Sequence, residues 1–249
     1  LPHGDLEVVF TSAEENGLFG AKNLDFTMLR SKHALVLDSG GSVGNIVIAA
    51  PTHYTYEMKI TGKAAHAGIE PEKGISAIRV AARIISGLPD GRINAGTTAN
   101  IGVISGGTAT NVVPKEVIVK GELRSHDTGE LEKTKQTLFT TADAIARQNG
   151  ALLEIAGREE YRAFRVDKNE PFLMFLGKVF KGCGMEPVHT TTGGGSDANV
   201  FNQNGIMAIN IATGMQKVHS TEEHISVKDL FDGCVVVLSA IASMESMRD

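Results

Sequence analysis

Cysteine is scarce in this 249-residue chain: Cys183 and Cys234 are its only two. Two thiols cannot build a disulfide framework, and they fit a reducing compartment, so a cytoplasmic location is expected. A basic excess is lacking too. Twenty-four basic residues stand against 29 acidic ones, a formal net charge of −5, with no long run of either sign. A nucleic-acid binder presents a basic face, so that class of partner is set aside. No apolar run is long enough to cross a bilayer. The longest, Cys234 to Met244, is interrupted by serines and reads as a buried helix, so no membrane partner is expected. Internal repeats and low-complexity segments are absent. The Gly193-Gly194-Gly195 run has no Walker lysine and no dinucleotide fingerprint beside it, which leaves a phosphate-cradle reading without support.

What is present points to a folded globular protein. Hydrophobic residues make up 42% and charged residues 21%, close to ordinary globular usage, which excludes a disordered chain. Twenty-eight glycines against seven prolines imply many tight turns and close approaches to backbone. The length corresponds to between one and two domains. The first residue is Leu1, and Leu1-Pro2-His3-Gly4-Asp5 runs straight into an apolar stretch, which reads as the interior of a longer gene.

The elements fall into three segments. Within 1–50, Leu6 to Thr11 is expected as a short buried parallel strand. Ser12 with Glu15 has capping-box spacing and is expected to open a helix. Ala34 to Asp38 is the next strand. Segment 51–165 has a different texture. A strand at Tyr54–Ile60 precedes a helix over Ile75–Leu88, with Ile75, Ile78, Ala82 and Ile85 at helical spacing. Strands Thr98–Ser105 and Val117–Arg124, a helix Leu131–Gln148 and a strand Leu152–Ala156 complete a βαββαβ order, that of a ferredoxin-like α+β sandwich. Segment 166–249 returns to α/β texture. It holds a helix Pro171–Phe180, a strand Val188–Thr192, a short helix begun by Ser196 or Asp197, and a strand Ile206–Ala212. A final helix opens at Ser226, its apolar face formed by Leu230, Phe231, Cys234, Val237, Leu238 and Ile241. The expected fold class is α/β, one domain interrupted by a smaller α+β insertion. Both cysteines are expected as core thiols.

In open α/β sheets ligands bind at the carboxyl ends of strands. Glu14 and Glu15 follow the first expected strand, Asp38 ends the second, and His219 follows Ile206–Ala212. Carboxylates with an imidazole are the ligand set of zinc, cobalt or manganese at a hydrolytic site. Adjacent glutamates diverge in direction, so one can hold metal while the other faces the metal-bound water. The structural alternative is that Glu15 caps its helix and Glu14 is solvated.

Several stretches resemble motifs of the co-catalytic zinc exopeptidases, the family that includes peptidase T and carboxypeptidase G. Phe10-Thr11-Ser12-Ala13-Glu14-Glu15-Asn16-Gly17 resembles their double-glutamate motif. Gly62-Lys63-Ala64-Ala65-His66-Ala67-Gly68 resembles the lid-domain histidine motif. Asn111-Val112-Val113-Pro114 with Arg124 resembles the lid asparagine and arginine. Gly193-Gly194-Gly195-Ser196-Asp197-Ala198-Asn199 and Val218-His219-Ser220 resemble the two C-terminal motifs. All five occur in the family's order, and the peptidase T-like branch is the nearer one, judged from Gly44 to Val47 and Gly193 to Asn199.

The resemblance implies an incomplete catalytic α/β domain (1–50 and 166–249) interrupted by a lid and dimerisation domain (51–165). It implies two divalent metal ions, zinc in the first place, and hydrolysis of short peptides, tripeptides or dipeptides, from the amino end. Glu14 corresponds to the general base, Glu15 and His219 to ligands of one ion, and Asp38 to a ligand of the other. Asn111 and Arg124 correspond to groups that hold the peptide, His66 to one that acts in the partner's site of a homodimer. Gly194 and Gly195 are expected to let a substrate terminus approach the backbone.

One departure is plain. The family's remaining histidine ligand and bridging aspartate lie upstream of the double glutamate, and the thirteen residues before Glu14 do not supply them. His3 and Asp5 sit too close to the first expected strand. Catalytic zinc normally keeps three protein ligands, so both half-sites are expected to be incomplete and the chain by itself weakly metallated and inactive. Two other readings stay open: a deacylase or carboxypeptidase on the same fold, and a non-catalytic dimerising fragment.

Overall fold

A computed structural model describes residues 3–244. The chain forms two compact units, Leu1–Ala50 with Arg162–Asp249, and Pro51–Tyr161. In chain order the first unit begins with a 3-10 turn Glu14–Asn16, helix α1 (Phe19–Lys22) and strands β1 (His33–Gly40) and β2 (Asn45–Ala50). The second holds β3 (Thr52–Thr61), α2 (Ala77–Gly87), β4 (Gly91–Asn94), β5 (Thr97–Gly106), β6 (Glu116–Ser125), α3 (Thr128–Gln148) and β7 (Leu152–Tyr161). The chain then returns to the first with β8 (Phe164–Arg165), α4 (Pro171–Gly182), β9 (Val188–Thr191), α5 (Asp197–Gln203), β10 (Met207–Met215) and α6 (Val227–Ser243).

The first unit is a mixed sheet in the order β1-β10-β2-β8, with β9 also on β2. The central strand β10 runs parallel to β1 and antiparallel to β2. Ala208 to Ala212 are buried throughout, the continuous apolar pattern of a strand covered on both faces. Phe164 and Arg165 pair with Ala50 and Ala49, which ties the returning chain into this sheet.

Two expectations for the start of this unit fail. Leu6 to Thr11 is not a strand: Leu6, Val8 and Phe10 are 53%, 68% and 93% exposed. An apolar run becomes a strand only when a neighbour takes its backbone hydrogen bonds, and no described strand lies beside this one. Ser12 opens no helix either. Ala13 is left-handed (φ 54°), its turn is a three-residue 3-10 turn, and the Ser12 carbonyl accepts the Gly20 N–H at 2.9 Å.

The second unit is an antiparallel sheet ordered β4-β5-β6-β3-β7. With the short β4 set aside, this is the ferredoxin-like βαββαβ arrangement. Its helices start where side chains meet the exposed N–H groups of the first turn. Ser76 Oγ accepts from Arg79 N–H, and Asp127 Oδ1 from Glu130 N–H at 2.9 Å. The core packs Met58 and Ile60 of β3 and Val117, Val119 and Leu123 of β6 against Val80, Ala81 and Ile84 of α2 and Leu138 and Ala142 of α3. Each large aliphatic side chain buried there contributes roughly 1.5–3 kcal/mol.

The apolar helix faces need correction. On α2 the buried positions are Ala77, Val80, Ala81 and Ile84, while Ile78 is 44% exposed. Both sets have helical spacing; Ile75 and Ile85 of the expected set pack at the margin of the core, and Ile78 and Ala82 face outward. On α6 the buried residues are Val236 and Ala240; Leu230, Phe231 and Leu238 are exposed. Cys234 is exposed with them and Cys183 is half-buried, so neither is a core thiol. Small residues let α6 lie close to the sheet and α4, and the bulky stripe turns outward. Among the described residues no helix is long and apolar enough to cross a membrane.

Candidate metallohydrolase site

The glutamate pair sits on a turn fixed mainly by its own backbone. Ala13 and Leu18 are both left-handed, at φ 54° and 61°, with Gly17 at 78° between them. Leu18 N–H donates to Glu14 O at 2.8 Å, and Phe19 and Asn16 N–H both donate to Ala13 O. Gly20 permits the return crossing, because a Cβ there would stand 2.4 Å from Ser12 O. The turn leaves Glu14 half-buried and Glu15 exposed.

Asp38 lies two residues inside the end of β1, where the parallel register with β10 breaks between Val36 and Ser39. The Asn210 side chain bridges the break. Its Oδ1 accepts Asp38 N–H at 3.1 Å and its Nδ2 donates to Asp38 O at 3.0 Å. Buried Asn210 therefore holds the backbone from which Asp38 projects. His219 occupies the loop between β10 and α6 in a left-handed conformation (φ 63°), with its N–H on Glu223 Oε2 at 3.0 Å. Its Nδ1 lies 3.3 Å from Glu15 Oε1. Of the four sequence-derived residues, Glu15 and His219 are thus in direct contact, Glu14 feels the charges of Asp38 and Glu15, and Asp38 feels those of Glu15 and His219.

That crowding shows in the electrostatics. Burial, then the charges of Asp38, Glu15 and Asp197, push the Glu14 carboxyl up to about 7. Burial and the charges of Asp197 and Glu15 also raise Asp38, against a smaller opposing effect of His219. Asp197, expected only at a helix start, is a further member. It is 7% exposed, Oδ2 accepts Thr11 Oγ1–H at 2.5 Å, and buried Oδ1 has no hydrogen-bond partner among the described residues. A buried carboxylate oxygen without a donor, beside carboxyls that raise one another, is the arrangement a cation relieves. The donor chemistry therefore fits a divalent ion. Among the described residues, however, no three His, Cys, Asp or Glu side chains converge at metal-binding distance, so each half-site holds at most two donors.

The second unit brings two of the substrate candidates together. Ala67 N–H donates to Asn111 O at 2.9 Å, and His66 and Val112 form an antiparallel bridge. Gly62 makes the loop possible, since a Cβ there would fall 2.1 Å from Ile75 O. His66 and Asn111 are both exposed. Arg124 is not in that loop pair. It lies on β6, where Nε is 2.9 Å from Glu122 Oε1, NH2 is 3.2 Å from Oε2, and NH1 donates to Tyr161 OH at 3.4 Å. His53 Nε2–H donates to the same Glu122 carboxylate at 2.9 Å. The hydrogen bond from His53, then those from Arg124, hold Glu122 down to about 2 against the effect of its burial. Gly194 and Gly195 lie in the first unit between β9 and α5. A Cβ on Gly194 would meet only Thr192 Oγ1, at 3.7 Å, so no packing inside the chain demands glycine there.

Comparison with known proteins fits this geometry. Residues 48–150 match the M20 peptidase dimerisation domain. An uncharacterised Bacillus subtilis protein, YqjE, is 39% identical over 241 residues, 97% of this chain and 65% of that protein. An aminopeptidase PepT from Bacillus cereus has the same fold with TM-score 0.90 at 38% identity, over 98% of this chain and 65% of that one. A tripeptidase from Staphylococcus aureus gives TM-score 0.94 at 34% identity, over 100% and 66%. The chain is a peptidase T-like member of the M20 peptidase family. It spans less than two thirds of the length of each of these three relatives. The family match runs from β2 to the turn after α3, covering most of the ferredoxin-like unit. Asn210, Thr11 and Asp197 are the site residues that sequence spacing did not single out. An asparagine inside an otherwise apolar strand was the one visible signal among them.

Proposed function

We propose that this protein takes part in metal-dependent hydrolysis of short peptides from a free amino end. The observation that carries the reading is the gathering of Glu14, Glu15, Asp38 and His219 at one place in the first unit, with the Glu14 carboxyl raised to about 7. The aminopeptidase and tripeptidase among its structural relatives support the substrate class. Glu15 and His219 would hold one divalent ion and Asp38 the other, zinc in the first place. Such ions supply an activated water and polarise the scissile carbonyl. Glu14, titrating near neutrality, takes a proton from water and returns it to the leaving amine.

His66 and Asn111, exposed on one loop pair, suit contacts to substrate, and His66 suits action in the partner's site of a homodimer. Arg124 can hold a peptide carboxylate only by releasing Glu122, since its fork is already engaged. Gly194 and Gly195 leave room for a peptide terminus to lie against the backbone. The dimerisation domain match supports self-association through the second unit. Beyond Ala99, β5 has no described strand on the side that β4 covers at Thr97–Ala99, an edge on which two copies can pair.

Cobalt(II) or zinc titration tests the site without relying on turnover. Binding is expected to be weak, with two donors per ion at most, and to be lost in His219→Ala and Glu15→Gln. Glu14→Gln should leave it largely intact. Metal binding indifferent to His219 and Glu15 would sink the reading. Turnover of a free-amine tripeptide against its N-acetyl form separates aminopeptidase from deacylase, and a preference for the blocked peptide would overturn the former. The lack of a three-donor cluster among the described residues favours a second reading, a dimerising module without turnover. Glu14-dependent hydrolysis by this chain would exclude it.

A further inference from the structure

Thr11 and Asp197 stand 186 positions apart in the chain, yet Thr11 Oγ1 donates to Asp197 Oδ2 at 2.5 Å. Thr11 immediately precedes the turn that carries Glu14 and Glu15. From Ser12 to Gly20 that turn closes on itself: Gly20 N–H on Ser12 O, Phe19 and Asn16 on Ala13 O, Leu18 on Glu14 O. Two non-glycine residues in it are left-handed, Ala13 and Leu18, a conformation that persists only where surroundings impose it. The preceding run, residues 6–10, is largely exposed and pairs with no described strand; its anchor is Glu7, whose carboxylate accepts from Arg30 N–H, Ser31 N–H and Ser31 Oγ, so Thr11 is the hydroxyl that ties the turn itself to α5. Asp197 itself is anchored. It opens α5, it is 7% exposed, and Ala198, Asn199, Val200 and Phe201 behind it are buried. Its neighbour Ser196 donates N–H to Asn199 Oδ1 at 3.0 Å.

We propose that Asp197 is a positioning residue: through Thr11 it fixes the entry of the Glu14–Glu15 turn, and so where the two carboxylates stand relative to Asp38 and His219. The assignment rests on the reading of Glu14 and Glu15 given above. The chemistry suits the task. A hydrogen bond to an ionised carboxylate is about twice as strong as a neutral one, and a buried acceptor on a helix moves little. The second carboxylate oxygen is buried and has no donor among the described residues, so Thr11 is the hydroxyl that holds this side chain.

Amide hydrogen exchange on the whole chain, without metal or substrate, tests the tether. In Thr11→Val and Asp197→Asn the amides of Asn16, Leu18, Phe19 and Gly20 should exchange about tenfold faster or more, as expected for loss of a charged hydrogen bond. Those of β10 should be unchanged. Thr11→Ser, which keeps the hydroxyl, should behave as the unmodified chain, and the double variant should be no faster than the faster single one. Unchanged exchange in Thr11→Val, or additive effects in the double variant, would overturn the proposal. If Asp197→Asn loosens β10 as well, Thr11→Val, altered at the less buried end, decides. Cobalt(II) titration then separates positioning from simple support. Thr11→Val should weaken binding although Thr11 reaches neither Glu15 nor His219, and equal affinity with faster exchange would reduce Asp197 to a structural tether. Absence of cobalt binding in the unmodified chain would instead count against the metal-site reading, with the exchange arms still deciding the tether.

Discussion

Tyr56 shows how a single residue is held against its own chemistry. It is 4% exposed, burial pushes its phenol up to about 12, and its hydroxyl has no hydrogen-bond partner among the described residues. An unsatisfied buried hydroxyl costs about 1–3 kcal/mol, so Tyr56→Phe should stabilise the chain, by about 1 kcal/mol in urea unfolding. A loss of stability of that size would mean the hydroxyl has a partner. Glu122 is the opposite case, a carboxylate with donors from His53 and Arg124 that hold it down to about 2. A carboxyl whose folded value lies below its ordinary 4.5 adds stability that is full above 4.5. That contribution falls away as the pH drops toward 2. The stability gap between the unmodified chain and Glu122→Gln should therefore shrink as the pH falls from about 4.5 to 2. A gap independent of pH would contradict this account.

At the scale of elements, glycine placement decides how β3 sits in its sheet. Tyr56 pairs with Gly121 of β6 on one side and Gly157 of β7 on the other. A Cβ on Gly121 would lie 2.3 Å from Tyr56 Oη and 2.5 Å from Asn100 O; one on Gly157 would lie 2.4 Å from Tyr54 Oη. The tyrosine rings lie over these glycines, so Gly121→Ala should cost roughly 1–3 kcal/mol by overpacking, read as a lower urea midpoint. An unchanged midpoint would show that the ring moves freely. These elements also show what was legible in the sequence. The ferredoxin-like order was readable because its longer strands and helices carry their own apolar period; the short β4 and the Asp127 cap that starts α3 at Thr128 were not read from the sequence. The glutamates and His219 stand out in the sequence as candidate ligands, and the structure places Glu15 and His219 in contact. What failed depended on neighbours: Leu6 to Phe10 has a strand's composition without a strand beside it, and α6 offers two apolar stripes of which packing buries Val236 and Ala240. The Thr11–Asp197 and Asp38–Asn210 contacts join residues 186 and 172 positions apart, separations that no local pattern encodes.

At the scale of the whole molecule, the proposed self-association has two candidate apolar surfaces among the described residues. One is the β5 edge, with Val103 and Ile104 49% and 55% exposed in the unit that matches the dimerisation domain. The other is the α6 stripe of Val227, Leu230, Phe231 and Leu238. An open strand edge satisfies its backbone groups by pairing with a copy of itself, a two-fold contact that closes at the dimer. An apolar helix stripe has no such geometric end point and favours open, concentration-dependent association. The two therefore predict different responses in sedimentation velocity. Val103→Lys with Ile104→Lys should convert a discrete dimer to monomer. Phe231→Glu with Leu238→Lys should leave the dimer intact and remove only the larger, concentration-dependent species. If the α6 substitutions dissolve the dimer and the β5 substitutions do not, the contact lies on the first unit, and His66 loses the route by which it would reach a partner's site.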